Sequence, residues 1–133
     1  MPPTKNAART VLLVVDDEAQ VLELERRILE TAGYHVMQAS HGLEAIARLA
    51  DGTPLDLLIA DLNMPGLDGM EMVKQIRATR PDLKVLFVTG HVDRLMESPR
   101  QWDHEAFVEK PFTPGSLREA VSLLLYGTLK KPK

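Results

Sequence analysis

The chain has no cysteine, which excludes disulfides, thiol chemistry and thiolate zinc sites. It also lacks an apolar run long enough to cross a bilayer, and Met1 to Thr10 lacks the apolar stretch of a secretory signal, so a soluble, cytoplasmic protein without a membrane partner is expected. Neither sign of charge is gathered into a long run and the net charge is only -3. The basic stripe that direct nucleic-acid binding needs is therefore missing. A chain of 133 residues has room for one proper core and none for a second folded domain, and it contains no internal repeat or low-complexity segment.

What it does have is alternation. Strand-like runs at Val11 to Val15, Tyr34 to Ala39, Leu55 to Ala60, Val85 to Val88 and Ala106 to Glu109 are separated by helix-like stretches, the pattern of parallel strands joined by crossover helices. Glu18 to Ala32 places Val21, Leu24, Ile28 and Ala32 on one helical face, with Gly33 suited to end it. Leu43, Ile46 and Leu49 give a second amphipathic helix closing at Asp51-Gly52, and Met70 to Ala78 a third with Met72, Val73 and Ile76 inward. His91 to Glu97 suits only about two helical turns, because Ser98-Pro99 interrupts anything longer. Pro114 to Leu125 is the last helix, with Leu117, Val121, Leu124 and Leu125 buried. The near-continuous apolar third strand belongs at the centre of the sheet. The expected organisation is a flexible segment over 1–10, one domain over 11–126 and a flexible tail over 127–133.

Four of the apolar runs stop at residues able to handle phosphate or a cation: Asp16-Asp17, Asp61, Thr89 and, shortly after the fifth, Lys110. In an open parallel sheet such stops lie at the carboxyl edge of the strands, where ligands bind. Three carboxylates brought together there repel one another unless a cation neutralises them. Magnesium (or manganese) suits the inventory, since it takes one or two carboxylates plus water and phosphate oxygens at roughly 2.0 to 2.1 Å. With the metal on Asp17 and Asp61, the Asp61 carboxylate keeps an oxygen free to attack phosphorus. Lys110, Thr89 and the metal would then stabilise the acyl phosphate.

Val14-Val15-Asp16-Asp17-Glu18, Asp61-Leu62-Asn63-Met64-Pro65-Gly66-Leu67-Asp68-Gly69, Val88-Thr89-Gly90 and Lys110-Pro111-Phe112 together resemble the receiver domain of two-component response regulators. The resemblance spans about Val11 to Leu125. It implies an α/β, flavodoxin-like, doubly wound parallel sheet of five strands in the order 2-1-3-4-5 with helices on both faces. It also implies that Asp61 is the phosphoacceptor, that Asp17, Asp61 and the main-chain carbonyl of Asn63 hold magnesium directly, and that Asp16 does so through water. Thr89 and Lys110 would contact the phosphoryl group, Phe107 would be the aromatic switch, and His91, like Asn63, would tune loss of the phosphoryl group. It favours a cis peptide at Lys110-Pro111. The implied donor is a histidine kinase or histidine phosphotransfer protein. The implied output face, open to a downstream protein or a second copy, is built from the fourth helix, the fifth strand and the helix that follows it. Pro99, the Ser98 to Glu105 stretch and a missing glycine before the switch aromatic depart from the family pattern on that face.

Each motif also has a plain reading. Asp-Asp before a helix caps it, Asp61 can simply start a turn, Thr89-Gly90 can be an ordinary loop, Lys110 can be solvated, and an aromatic such as Phe107 in a strand is commonly packing. Their joint order at successive strand ends favours function. A magnesium-dependent phosphohydrolase would share the chemistry but needs a second acid or base two residues after the nucleophile and a cap domain. Asn63 holds that position and no chain remains for a cap. A receiver that binds partners without being phosphorylated is disfavoured by the intact acidic set. The histidines His35, His41, His91 and His104 are scattered and expected to be exposed and free of metal, and Trp102 carries no chemistry.

Overall fold

The computed structural model describes residues 10–90 and 104–127. Along the chain the elements are β1 (Val11–Val15), α1 (Ala19–Thr31), β2 (His35–Ala39), α2 (Gly42–Leu49), β3 (Leu57–Ala60), α3 (Gly69–Arg77), β4 (Lys84–Thr89), β5 (Glu105–Glu109) and α4 (Pro114–Tyr126). The expected short helix at His91 to Glu97, together with His91 itself, Pro99 and Trp102, lies outside the described residues. All strand pairs are parallel and the sheet order is β2-β1-β3-β4-β5, the doubly wound topology expected.

Side chains alternate across each strand, and the sheet sorts them into two cores. Leu13, Val15, Leu58, Ala60, Val85 and Phe87 pack with α2 and α3 on one face. Leu12, Val14, Leu57, Ile59, Leu86 and Val88 pack with α1 and α4 on the other. Leu12, Leu13, Leu57 and Leu58 are fully buried, so truncating any one to alanine would cost about 2–5 kcal/mol.

Capping explains several boundaries. Thr113 and Ser116 form a reciprocal capping box, each backbone N–H donating to the other's hydroxyl at 3.0 Å, with Pro114 opening α4 and Gly127 closing it at φ 74°. The Asp68 side chain accepts from Glu71 N at 2.9 Å and starts α3. The imidazole of His41 accepts from Glu44 N at 3.2 Å and starts α2, a role the scattered-histidine reading did not include. His104 departs from the expected exposure, for its Nδ1 is buried. β3 starts at Leu57 rather than Leu55 because Asp56 is used as a clasp, exchanging bonds with Val11 through both its N–H and its carboxylate.

Two helical faces differ from the periodicity. On α1 the buried residues are Glu25, Ile28 and Leu29, while Leu24 is exposed. Val21, Leu22, Leu24, Ile28 and Leu29 allow two overlapping stripes, and packing against the sheet selects the one through Leu22, Glu25 and Leu29. On α2, Leu43 is 65% exposed and Gly42, Ala45 and Leu49 face inward. Gly42 belongs there because a Cβ would lie about 3.1 Å from Leu67. The inward faces of α3 (Met72, Val73, Ile76) and α4 (Leu117, Val121, Leu124) are as expected, with Leu125 only partly buried.

Candidate phosphoryl-transfer site

Strand register places the site. Val15 pairs with Ala60, so the next residues, Asp16 and Asp61, leave neighbouring strands side by side. Asp61 N donates to Val15 O at 3.1 Å. Thr89 ends β4 and is fully buried, and Lys110 N donates to its carbonyl at 2.9 Å. Four strand ends thus bring Asp16, Asp61, Thr89 and Lys110 to one edge of the sheet.

The Lys110 ammonium reaches into the carboxylates. Its Nζ lies 2.9 Å from Asp16 Oδ2, 3.3 Å from Asp61 Oδ2 and 3.5 Å from Glu18 Oε1. The peptide bond between Lys110 and Pro111 is cis, as the resemblance implies. Burial raises the Asp16 pKa above the ordinary carboxylate value, and the negative charge of Asp61 adds to this, while the Glu18 backbone N–H and Lys110 oppose it. Burial works against the charge on Lys110, yet the hydrogen bond and charge of Asp16, then those of Asp61, outweigh it and push the pKa up to about 12. The ammonium is thus charged throughout the physiological range.

A tight turn holds Asp61. Asn63 N donates to Asp61 Oδ1 at 3.2 Å and Gly69 N donates to Leu62 O at 3.0 Å. A Cβ on Gly69 would sit 2.2 Å from the Asp61 carbonyl oxygen, so α3 can start against the acceptor loop only with glycine there. Gly66, at φ 78°, supplies the left-handed turn residue.

Among the described residues, Asp16, Glu18 and Asp61 each place a carboxylate oxygen within 4.8 Å of the other two. Asp17, between the first two, is exposed, as is Asn63. An all-oxygen donor set with two buried members fits a hard divalent cation. Glu18 was missing from the sequence-based ligand set although it adjoins the Asp16-Asp17 pair. Its approach depends on the Asp16 Oδ1 bond to Glu18 N at 2.9 Å, which turns the chain into α1. Phe107 sits on β5 opposite Phe87 and is 37% exposed. Glu25, assigned no role from sequence, is almost wholly buried on α1.

Fold and site together define a receiver. Residues 12–122 match the model of the response regulator receiver domain, and the chain belongs to that family. It is 39% identical over 119 residues to the response regulator MprA of Mycobacterium avium, covering 88% of this chain and 51% of that protein. The chain spans about half the length of such relatives. Among solved structures, the response regulator TrrA of Thermotoga maritima, in complex with Mg(2+)-BeF, aligns with a TM-score of 0.76 at 34% identity, covering 87% of this chain and 99% of that one. The receiver domain of the hybrid histidine kinase CckA aligns with a TM-score of 0.72 at 32% identity, over 86% and 98% of the two chains. The chain is thus a receiver domain of the two-component signalling type. Among the described residues no helix is long and apolar enough to cross a membrane.

Proposed function

We propose that Asp61 is the phosphoacceptor of this receiver and that the domain itself assists both gain and loss of the phosphoryl group. The observation carrying this reading is the convergence of the Lys110 ammonium on the buried carboxylates of Asp16 and Asp61. An Asp61 carboxylate oxygen attacks the phosphorus of a phosphohistidine on a kinase or phosphotransfer protein. The P–N bond breaks and the departing imidazole nitrogen keeps the electron pair. Lys110 neutralises charge gathering on the phosphoryl oxygens, and Thr89 offers its hydroxyl to them. Later, water attacks phosphorus, inorganic phosphate departs and the Asp61 carboxylate is restored.

Asp16, Asp17, Asp61 and the Asn63 carbonyl are the residues we assign to magnesium or manganese, with Glu18 positioned to join them. Bound there, the cation supplies charge compensation for carboxylate and phosphoryl oxygens. TrrA, with its Mg(2+)-BeF ligand, supports that assignment by likeness. Phosphorylation adds roughly 1.5 to 2 negative charges, which draws Thr89 toward the phosphoryl group and lets Phe107 turn inward, changing the face beside β5. His91 is assigned to tuning the lifetime and lies outside the described residues. The downstream protein, or a second copy, would dock on that face, and the reaction belongs to the cytoplasm, where kinases meet ATP.

Incubation with acetyl phosphate and magnesium followed by intact mass measurement tests the reading. One added phosphoryl group is expected, lost in Asp61→Asn and with chelator. An adduct that persists in Asp61→Asn would overturn the assignment of the acceptor.

A further inference from the structure

Glu25 is the buried ionisable group that the phosphoryl chemistry leaves unused. It lies on the inner face of α1 with Ile28 and Leu29. Its residue exposure is 1%, and its Oε1 is buried without a hydrogen-bond partner. The face it shares packs into the core formed with Leu117 and Val121 of α4. Three charged groups act on it, each from a different strand end: Asp16 after β1, Asp61 after β3 and Lys110 after β5. Among the described residues none of them forms an ion pair with it. An apolar core position serves packing better with leucine than with a carboxyl, so this one invites a reason tied to the neighbouring site.

We propose that Glu25 is a proton-linked positioning residue of the acidic crevice, holding a proton while only Lys110 neutralises the crevice and releasing it when a divalent cation binds. The inference rests on the cation assignment made above. Burial favours the neutral acid, the negative charges of Asp16 and Asp61 favour it further, and Lys110 alone opposes them. A dication in the crevice offsets the negative charges of Asp16 and Asp61 that favour the neutral acid, adding to the one opposing charge that Lys110 supplies. The exchange balances: a neutral Glu25 carboxyl plus the aqueous cation gives the Glu25 carboxylate, the filled crevice and one proton delivered to solvent. By linkage, each proton released makes cation affinity rise by up to about tenfold per pH unit across the window in which Glu25 titrates.

Isothermal titration of the full chain with magnesium chloride, in two buffers of different ionisation enthalpy, counts protons released per cation. Wild type is to be compared with Glu25→Gln, which keeps the shape, and with Glu25→Leu, which keeps the burial and suits the core. Both retain Asp16 and Asp61, so any protons those groups release cancel in the comparison. The expected result is a loss of up to about one released proton per magnesium in both variants, with a flatter pH dependence of affinity. Equal proton counts in wild type and the variants would overturn the role of Glu25 while leaving the cation assignment standing. Absence of magnesium binding in wild type would overturn the cation assignment and this proposal with it.

Discussion

Lys110 Nζ lies 2.9 Å from Asp16 Oδ2, joining residues 94 positions apart. The Asp16 side chain is 1% exposed and that of Lys110 19%, so the contact is intermediate between a surface pair and a buried one. Replacing Lys110 by methionine leaves Asp16 and Asp61 facing each other without their ammonium. Thermal or urea unfolding should show a loss of about 2 kcal/mol, between the values typical of exposed and of buried pairs. Magnesium should recover more stability in Lys110→Met than in wild type, because the cation replaces the missing charge. Phosphoryl incorporation from acetyl phosphate should fall sharply.

Gly69 tests the link between a helix start and the acceptor. The 2.2 Å approach of a Cβ to the Asp61 carbonyl involves backbone on both sides, so no flexible side chain can yield. Gly69→Ala should destabilise by about 1–3 kcal/mol and slow phosphorylation by moving Asp61. Gly66→Ala is the control: the added Cβ meets open space and only the φ of 78° resists it, a cost of about 1 kcal/mol. Unfolding curves and initial labelling rates separate the two effects.

The opposite edge of the sheet carries a clamp that should affect stability alone. Arg77, at the end of α3, pairs with the Glu105 carboxylate and donates to Leu83 O at 2.8 Å and to His104 O at 3.4 Å. The Glu105 side chain is 1% exposed. Arg77→Ala should cost about 3–5 kcal/mol, as expected when one partner of a buried pair is removed. Labelling of the remaining folded protein by acetyl phosphate should proceed at the wild-type rate.

Glu25 predicts the pH dependence of stability. Burial, aided by Asp16 and Asp61, raises its pKa well above the ordinary carboxylate value of 4.5. The folded protein therefore binds this proton more tightly than the unfolded chain. The stabilisation is complete below the ordinary carboxylate value and is lost as pH rises through the folded-state value. Glu25→Gln should flatten that decline: relative to wild type it gains stability as pH increases from about 4.5 upward. Melting temperatures in a pH series check this, and parallel curves for the two proteins would refute it.

Among the described residues, the sequence by itself determined the strand and helix order, the parallel sheet and the positions of Asp16, Asp61, Thr89 and Lys110 at strand ends. These are legible because apolar periodicity and run length act locally, and because parallel topology sends every strand's carboxyl end to one edge. Tertiary structure decided what periodicity left degenerate. α1 had enough apolar residues for two stripes, and contact with the sheet and α4 chose the one that buries Glu25 and exposes Leu24. On α2 the close approach of the Leu67 turn to Gly42 turned Leu43 outward. Glu18 joined the acidic cluster through a bond between Asp16 and its own backbone N–H. Each outcome depends on distances between segments remote in sequence or on the course of a turn, and helical periodicity contains neither.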